Sequence, residues 1–315
     1  MGKCPLFGVF CYSVKTMTHQ ANGTMTKIGN KISKSEENEE GGNEKGVISV
    51  DRSFQIMEML VDADDGLSLA DIASGLKVNK AIAAKLLATL TRLFYVLRDD
   101  ATQRYFATYR ISNLGLRQLQ TSRIVYQCSH VLKDLAERTG ELVRLAVVEG
   151  GGQKLTWVYS VSGRKRGLQI DPNYTLEISF HTHSAGKAWL STMPFEEAFK
   201  LCQKQGLHKL TPYSRVTAPD LKEDLAQGAK QGFIVSYEEN ELGVGAVAAP
   251  IQIKTLTKEI ECVGVVSISA PSSRMSAKDL ADCGPLLRST VAHLASFWPL
   301  EIVVRSGLGV AREPV

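Results

Sequence analysis

Apolar residues recur at helical spacing from position 50 onward. Val50, Phe54, Met57 and Leu60 are three or four residues apart, which predicts one hydrophobic face on an α-helix. Ser49 is the expected N-cap of this helix, because a serine oxygen can accept a hydrogen bond from the first free N–H groups. An Asp-Asp-Gly sequence at 64–66 is expected to end the helix.

Two further helices and a hairpin are predicted next. Ser68 precedes Asp71 by three residues, the spacing of a capping box, and Asn79 is the expected N-cap of a third helix. Strand-like residues at 95–98 and 104–107 flank a polar turn and predict a hairpin. This order of elements is typical of a winged helix-turn-helix, which places one helix in the major groove of DNA.

Basic residues are concentrated on the same segment. The whole chain has a formal net charge of only +4, but residues 77–117 contain eight basic and two acidic residues. Basic side chains that neutralise phosphates release counterions and supply much of the affinity for DNA. A basic face that binds another protein is the alternative interpretation. The expected DNA surface comprises Ser68, Asn79, Lys80, Ala81, Ala84, Lys85, Arg92, Arg98, Arg104 and Tyr105.

The length of 315 residues and the hydrophobic content of 44% fit two domains. No apolar run approaches the roughly 20 residues of a membrane helix, and the six cysteines form no CxxC pair. We therefore expect a cytoplasmic protein with no membrane contact, metal or other cofactor. Met17 and Met25 are alternative translation starts. The expected division is a disordered extension (1–46), a winged helix-turn-helix (47–109), a linker helix and hinge (110–123), an α/β domain (124–300) and a tail (301–315).

The second half begins after a predicted hinge near Gln118–Ser122. A helix over Ile124–Arg138 is expected to stop at Gly140, and two alternating strands should flank Gly150–Gly152. A glycine run can cradle phosphate, but phosphate loops lead into a helix and a strand follows here. The glycines therefore predict a hairpin turn.

His181 and His183 are alternate residues, which on a strand would point the same way and could bind a metal ion. No third ligand is identifiable from the sequence. The favoured interpretation is that one histidine bonds a backbone carbonyl at the start of a helix over Ser184–Ser191.

Eight stretches carry a resemblance to a known family, and they recur in that family's order: Gly66–Ala73, Lys85–Leu90, Tyr105–Leu114, His181–Ala188, Gly232-Phe233, Glu238–Glu241, Ala248–Pro250 and Ser267–Ser269. From about Val47 to Trp298 the chain resembles the IclR family of transcriptional regulators. The resemblance implies an N-terminal winged helix-turn-helix and a C-terminal GAF-like α/β (α+β) domain with an antiparallel sheet that binds an effector.

The same resemblance implies a ligand pocket in the C-terminal domain. Backbone N–H groups at the start of the Ser184 helix would favour an anionic group. Ser236 and Ala246 stand where relatives often have an acidic residue and a cysteine, which predicts a small organic acid, with an aromatic acid as one candidate. Carried over by position, the effector residues are Leu168, Ile170, Ile178, Ser184, Ala185, Ser236, Ala246, Ser267 and Ser269.

Two departures concern the DNA-binding half. The third helix opens with alanines where the family usually has hydroxyl residues, so methyl groups replace side chains that could hydrogen-bond base edges. Phe94 stands where glycine commonly precedes the wing, which predicts a differently shaped turn. Recognition would then rest on Lys80, Lys85 and apolar contact, or on DNA shape and phosphate position.

The sequence thus predicts a DNA-binding regulator, a homodimer or a dimer of dimers, whose operator affinity changes with a small organic acid. Two other hypotheses stay open. One is an enzyme on the GAF-like domain, although no nucleophile and base are recognisably paired. The other is a regulator that recruits a partner protein without binding a ligand.

Overall fold

The computed structural model describes residues 46–163, 168–170, 177–254 and 260–299. The disordered extension predicted for 1–46, apart from Gly46, and the tail predicted for 301–315 lie outside the described residues. The described chain begins with three helices and a hairpin. A longer part follows, in which helices surround an antiparallel sheet.

The N-terminal domain has the predicted order of elements. Its three helices and two strands are α1 (Ile48–Val61), α2 (Leu69–Gly75), α3 (Lys80–Arg92), β1 (Val96–Arg98) and β2 (Tyr105–Ala107). The strands pair antiparallel, and Leu67 bridges to Tyr105 on the other side of β2. The hairpin is thereby attached to the segment that leads into α2, so the wing is tied to the helix pair.

Helix α1 differs from its prediction at its start and on its buried face. It begins at Ile48 after Val47, and Ser49 lies inside the helix rather than at the cap. Ile56, Met57 and Leu60 are buried, whereas Val50 and Phe54 are exposed. The apolar spacing therefore identified the helix correctly, but its first turns extend beyond the core that α2 and α3 provide.

The turn into the wing keeps the conformation that glycine favours. Phe94 has a φ of +62°, in the left-handed region where a side chain is strained, and it is 72% exposed. The predicted change in turn shape is therefore wrong for the backbone. The substitution instead places a strained, exposed aromatic ring at the base of the wing.

A continuous helix, α4 (Tyr109–Ser122), leads to α5 (Ile124–Thr139), which ends at Gly140 as predicted. The predicted hinge at Gln118–Ser122 is thus helical. The chain changes direction one residue later, at Arg123, whose φ of 57° ends α4. Because one residue with a left-handed backbone conformation is enough to break the helix, the sequence contains no glycine- or proline-rich loop that would predict the break.

The C-terminal sheet has the strand order β4-β3-β7-β6-β5 within the described residues, with every neighbouring pair antiparallel. The three glycines at 150–152, all with positive φ, form the predicted hairpin turn. Its strands are β3 (Leu142–Glu149), β4 (Lys154–Ser162), β5 (Ile234–Tyr237), β6 (Val244–Lys254) and β7 (Ile260–Pro271). Its remaining helices are α6 (Ser184–Leu190), α7 (Phe195–Gln205), α8 (Ala218–Gln231), α9 (Ala277–Asp282) and α10 (Gly284–Ser296).

Each face of the sheet has its own hydrophobic core. Leu145, Val247 and Ile268 pack on one face against α5 and α10. Ala146, Ala248 and Val265 pack on the other face against α6, α7 and α8. The alternation of side chains along a strand assigns each position to one layer, and the α6 layer borders the candidate ligand cavity.

Gly186 sets how closely α6 approaches the turn before it. A Cβ at Gly186 would lie 2.5 Å from Phe180 Cα and 2.7 Å from two backbone oxygens. We expect Gly186→Ala to lower the free energy of unfolding by about 1–3 kcal/mol through overpacking, measured as a lower melting temperature by circular dichroism.

Gly115→Ala is the matched control for that change. Gly115 lies in α4, and a Cβ there would meet no atom within 4 Å. Alanine favours helix over glycine by about 0.5–1 kcal/mol, so this variant should melt at the same or a higher temperature. Equal behaviour of the two variants would contradict the packing argument.

Candidate DNA interface and ligand cavity

Helix α3 presents the basic face that the sequence predicts. The Asn79 side chain accepts a hydrogen bond from the Ile82 N–H (2.9 Å), so its oxygen caps the helix. Lys80, Ala81 and Lys85 are exposed in the first two turns. Arg92, near the C-terminal end of α3, and Arg98, on β1, are exposed too, while Ala84 is half-buried.

The other predicted DNA residues have structural contacts. Ser68 forms a capping box with Asp71, as predicted. The Arg104 guanidinium donates to the Gly66 carbonyl (2.7 Å), and Tyr105 is 8% exposed in the domain core. These contacts hold the wing against the start of α2. We therefore remove Tyr105 from the proposed DNA surface, since little of its ring can reach a ligand outside the domain.

A cavity of about 330 Å³ lies on the α6 side of the sheet. Its floor is a row of small residues on neighbouring strands, because Ser236 pairs with Ala246 and Ala246 pairs with Ser269. Side chains this small leave space that larger residues fill elsewhere on this face. The lining residues are Arg144, Gln169, Ile170, Thr182, His183, Ser184, Ser236, Asn240, Glu241, Val244, Ala246 and Ser269.

Five predicted effector residues line the cavity, namely Ile170, Ser184, Ser236, Ala246 and Ser269. The other four have different surroundings. Ile178 and Ala185, which is part of α6, are buried in the core between α6 and the sheet. Leu168 is exposed, and its carbonyl accepts a hydrogen bond from Arg274 (3.0 Å). Ser267 is buried one row further along the same sheet face, and its Oγ has no hydrogen-bond partner in the described part of the chain.

Arg144 and His183 are the main lining residues that sequence reasoning missed. Arg144 interrupts the apolar strand β3, and a charged residue in an otherwise apolar strand is the sequence feature that could have identified it as a site residue. The spacing of His181 and His183 indicates either metal ligands on a strand or one histidine bound to a backbone carbonyl, and neither interpretation places His183 at a ligand cavity. Residues 180–183 form a turn instead, and the described residues contain no group of three or more metal-ligating side chains.

The two histidines have fixed hydrogen-bond partners. His181 Nε2 lies 2.9 Å from the carbonyl of His208, which follows α7 and is not at the start of α6 where the sequence predicted the carbonyl contact. His183 Nδ1 accepts a hydrogen bond from the Ser179 N–H (3.0 Å). Since that backbone group can only donate, the proton of neutral His183 must be on Nε2. Burial and the nearby Arg144 guanidinium lower the pKa of His183 to about 4.

A buried lysine fixes the loop at one wall of the cavity. Lys187 Nζ, in α6, lies 2.6 Å from Asp224 Oδ2 and 2.6 Å from Glu239 Oε2. Burial raises the pKa of Glu239, although the Lys187 charge opposes this. Asn240 and Glu241 follow Glu239 directly, so the ion pair positions two residues of the lining.

The opposite wall is attached through a second ion pair. Arg274 contacts both carboxylate oxygens of Glu141 at 2.6 Å and donates to the Leu168 carbonyl. Gln169 and Ile170 follow Leu168 and line the cavity. A planar guanidinium matches a carboxylate with two parallel hydrogen bonds, so this wall is attached to the sheet by a directional contact.

The buried thiols have environments that disfavour the thiolate. Burial raises the pKa of Cys128, Cys202 and Cys262 to about 12. Cys262 is buried in β7, as predicted for a small hydrophobic residue. No helix in the described ranges is long and apolar enough to cross a membrane.

We expect His183→Asn to reduce the sensitivity of the fold to acid. Between pH 6.5 and the lowered pKa of about 4, the unfolded chain binds a proton that folded His183 does not. His183 therefore lowers the free energy of unfolding as pH falls through this range. Asparagine keeps an acceptor for the Ser179 N–H and does not titrate.

Thermal unfolding from about pH 6.5 to about pH 4.5 measures this difference. The melting temperature of His183→Asn should fall less than that of the wild type. His181, whose pKa burial also lowers, titrates in both proteins and does not affect the comparison. An equal fall in both would show that His183 is not the group responsible.

Comparison with known proteins matches both domains. The IclR helix-turn-helix domain model matches residues 49–100, and the model for the C-terminal domain of the bacterial transcriptional regulator IclR matches residues 116–296. The transcriptional repressor IclR of Escherichia coli is 25% identical over 241 residues, covering 76% of this chain and 86% of that protein.

Solved structures share the fold. An IclR transcriptional regulator from Alicyclobacillus acidocaldarius has a TM-score of 0.68 at 21% identity, covering 80% of this chain and 98% of that chain. An IclR homologue from Microbacterium hydrocarbonoxydans, in complex with 4-hydroxybenzoate, has a TM-score of 0.62 at 16% identity, covering 79% and 98%. Because family models match the helix-turn-helix and more than half of the chain beyond it, this protein belongs to the IclR family of DNA-binding transcriptional regulators.

Proposed function

We propose that this regulator binds operator DNA through α3 and the wing, and that a small organic acid in the cavity changes its affinity for that DNA. The observation that carries the proposal is the cavity, lined by both polar and apolar side chains, beside a buried ion pair in the domain that follows the DNA-binding unit. Ligand sites are concave and carry a few polar groups that fix orientation. The volume of about 330 Å³ suits a ligand of roughly a single ring.

DNA recognition in this proposal rests mainly on phosphates and DNA shape. The exposed start of α3 offers Lys80, Ala81 and Lys85, of which the lysines carry charge. Alanine can contact a thymine methyl but cannot hydrogen-bond a base edge. Arg92 and Arg98 extend the basic surface toward the wing. Sequence preference would then come from groove geometry at positions that the side chains do not touch.

An aromatic acid is the favoured effector. The family member from Microbacterium hydrocarbonoxydans was crystallised with 4-hydroxybenzoate, and the cavity of this chain combines an arginine with small and apolar side chains. A ligand that binds one arrangement of the protein better than another shifts the population toward it, by no more than the ratio of the two affinities. Two recognition helices in a homodimer, or four in a dimer of dimers, would have to match the spacing of successive major grooves.

We expect Lys80→Ala and Lys85→Ala each to weaken operator binding and to reduce the salt dependence of binding. Losing one phosphate contact lowers the slope of log affinity against log salt by about one. Fluorescence anisotropy with DNA from the region upstream of the gene, over a salt series, measures both quantities. Lys200→Ala, an exposed lysine on α7, is the matched control and should leave the slope unchanged.

The effector proposal is tested in the same assay by adding 4-hydroxybenzoate, benzoate and butyrate. At least one acid should shift the DNA-binding curve at a concentration that saturates the protein. DNA binding that ignores every acid would leave the DNA interface in place and refute an acid effector. If neither Lys80→Ala nor Lys85→Ala reduces the salt dependence of DNA binding, the proposed interface is refuted.

A further inference from the structure

We infer that Gln103 is a positioning residue of the DNA interface, because its side chain holds the Arg98 guanidinium in place at the surface of the wing for contact with a DNA phosphate. This inference rests on the proposed function, since it takes Arg98 as one of the DNA contacts. It goes beyond that function, because neither the charge pattern nor the family resemblance assigns a role to Gln103.

Gln103 has a backbone conformation that a side chain disfavours. It lies in the turn between β1 and β2, and its φ is +59°. Its N–H donates to the Asp99 carbonyl (2.8 Å), and the Asp99 N–H donates to the Arg104 carbonyl (2.8 Å), so the conformation is part of the closed turn. Hairpin loops commonly have glycine at such a left-handed position. Gln103 is exposed, so packing of its side chain in the core does not explain the strain.

The Gln103 side chain connects the strand to the tip of the turn. Its Oε1 accepts a hydrogen bond from Arg98 Nη2, and its Nε2 donates to the Asp100 carbonyl (2.6 Å). The two bonds use the acceptor and the donor of one amide, so together they fix how the amide is turned. Glycine at this position would relieve the backbone strain and would lose both contacts.

Arg98 has a second support on the opposite strand. It pairs with Tyr105 across the hairpin, and its guanidinium carbon lies 5.6 Å from the centre of the Tyr105 ring. A cation over an aromatic face is attracted to it, and a guanidinium still has N–H groups along its edge for a phosphate. The ring and the amide thus restrict a long, exposed side chain. The entropy cost of ordering it then falls on the folding of the domain and not on DNA binding.

Gln103 orients Arg98 without neutralising it. Two aspartates follow Arg98 in the turn, and an ion pair with either carboxylate would offset the charge that attracts a phosphate. The Asp99 carboxylate accepts from the Thr102 N–H (2.9 Å) and from its hydroxyl, so it is engaged within the turn. The partner that the turn gives to Arg98 is instead an uncharged amide.

The other arginine of the wing has a structural partner. Arg104 donates to the Gly66 carbonyl (2.7 Å) and is half-buried, whereas Arg98 is exposed and its amide partner belongs to the same hairpin. Arg104 therefore attaches the wing to the rest of the domain. Of these two arginines, Arg98 is the one placed to reach a ligand outside the domain.

A double-mutant cycle tests the positioning role, by fluorescence anisotropy of the full-length protein with DNA from the region upstream of the gene. Arg98→Ala should weaken binding roughly 10-fold at about 0.1 M salt and lower the slope of log affinity against log salt by about one. Gln103→Gly, which suits the turn conformation, should weaken binding by about 3-fold or more. Combined with Arg98→Ala, it should cause no further loss, because the side chain that it positions is gone.

Phe94→Gly is the matched control. Phe94 precedes β1 and has a φ of +62°, so glycine relieves the same kind of strain there as at Gln103. Its affinity for DNA and its salt slope should equal those of the wild type. A similar loss of affinity in Phe94→Gly would show that relaxing the wing backbone, and not losing the amide, weakens binding, and would overturn the inference.

The other outcomes separate this inference from the proposed function. If Gln103→Gly binds DNA as the wild type does, or weakens Arg98→Ala further, the positioning role is overturned and the α3 interface stands. If only Lys80→Ala and Lys85→Ala change the salt slope, Arg98 is not a DNA contact and the inference fails alone. If the wild type does not bind DNA, the proposed function fails as well. Gln103→Asn, which tolerates a left-handed φ and has a shorter side chain, repeats the cycle should the glycine variant not fold.

Discussion

The positive charge of Lys187 is the constraint on which the C-terminal domain depends. Its ammonium group is 0% exposed, and two carboxylates at 2.6 Å compensate it. Removing one partner of such a buried pair commonly costs about 3–5 kcal/mol, because a charge is then left without compensation. The contact therefore requires α6, α8 and the loop after β5 to stay together. Two hydroxyls strengthen this requirement, because Thr211 donates to the carbonyls of Glu238 and Glu239 and Ser214 donates to the carbonyl of Glu239.

The cavity follows from that arrangement and from the size of three side chains. The lysine fixes α6 and the loop that carries Asn240. The side chains of Ser236, Ala246 and Ser269 are small, so they leave space between the sheet and the start of α6. Larger residues on this face, such as Ile234 and Val265, are packed into the core instead. The described walls of the space are thus held by ion pairs and by the packing of the sheet. A site with preorganised walls loses less entropy when a ligand is ordered.

Local chemistry explains which features the sequence could predict. The caps at Ser68 and Asn79 and the stop at Gly140 depend on residues within three or four positions, and all three occur as expected. The buried face of α1 depends on partners elsewhere, and Phe54 was assigned to it wrongly. Arg144 reaches Ser269 across 125 positions, so its place in the cavity follows from strand register. Composition and spacing do not contain that register. For the effector residues, the family resemblance implies both Ser267 and Ser269, whereas Ser269 lines the cavity and Ser267 does not.

The contact between Arg144 and Trp157 also gives the protein a built-in optical reporter. The chain has three tryptophans. Trp189 and Trp298 are buried in the two cores of the C-terminal domain, one on each side of the sheet. Trp157 is the one whose ring lies against a cavity-lining charge, at 4.2 Å. Indole emission responds to a nearby cation and to any change in its position, so the occupancy of the cavity should be visible as a change in intrinsic fluorescence without an added dye.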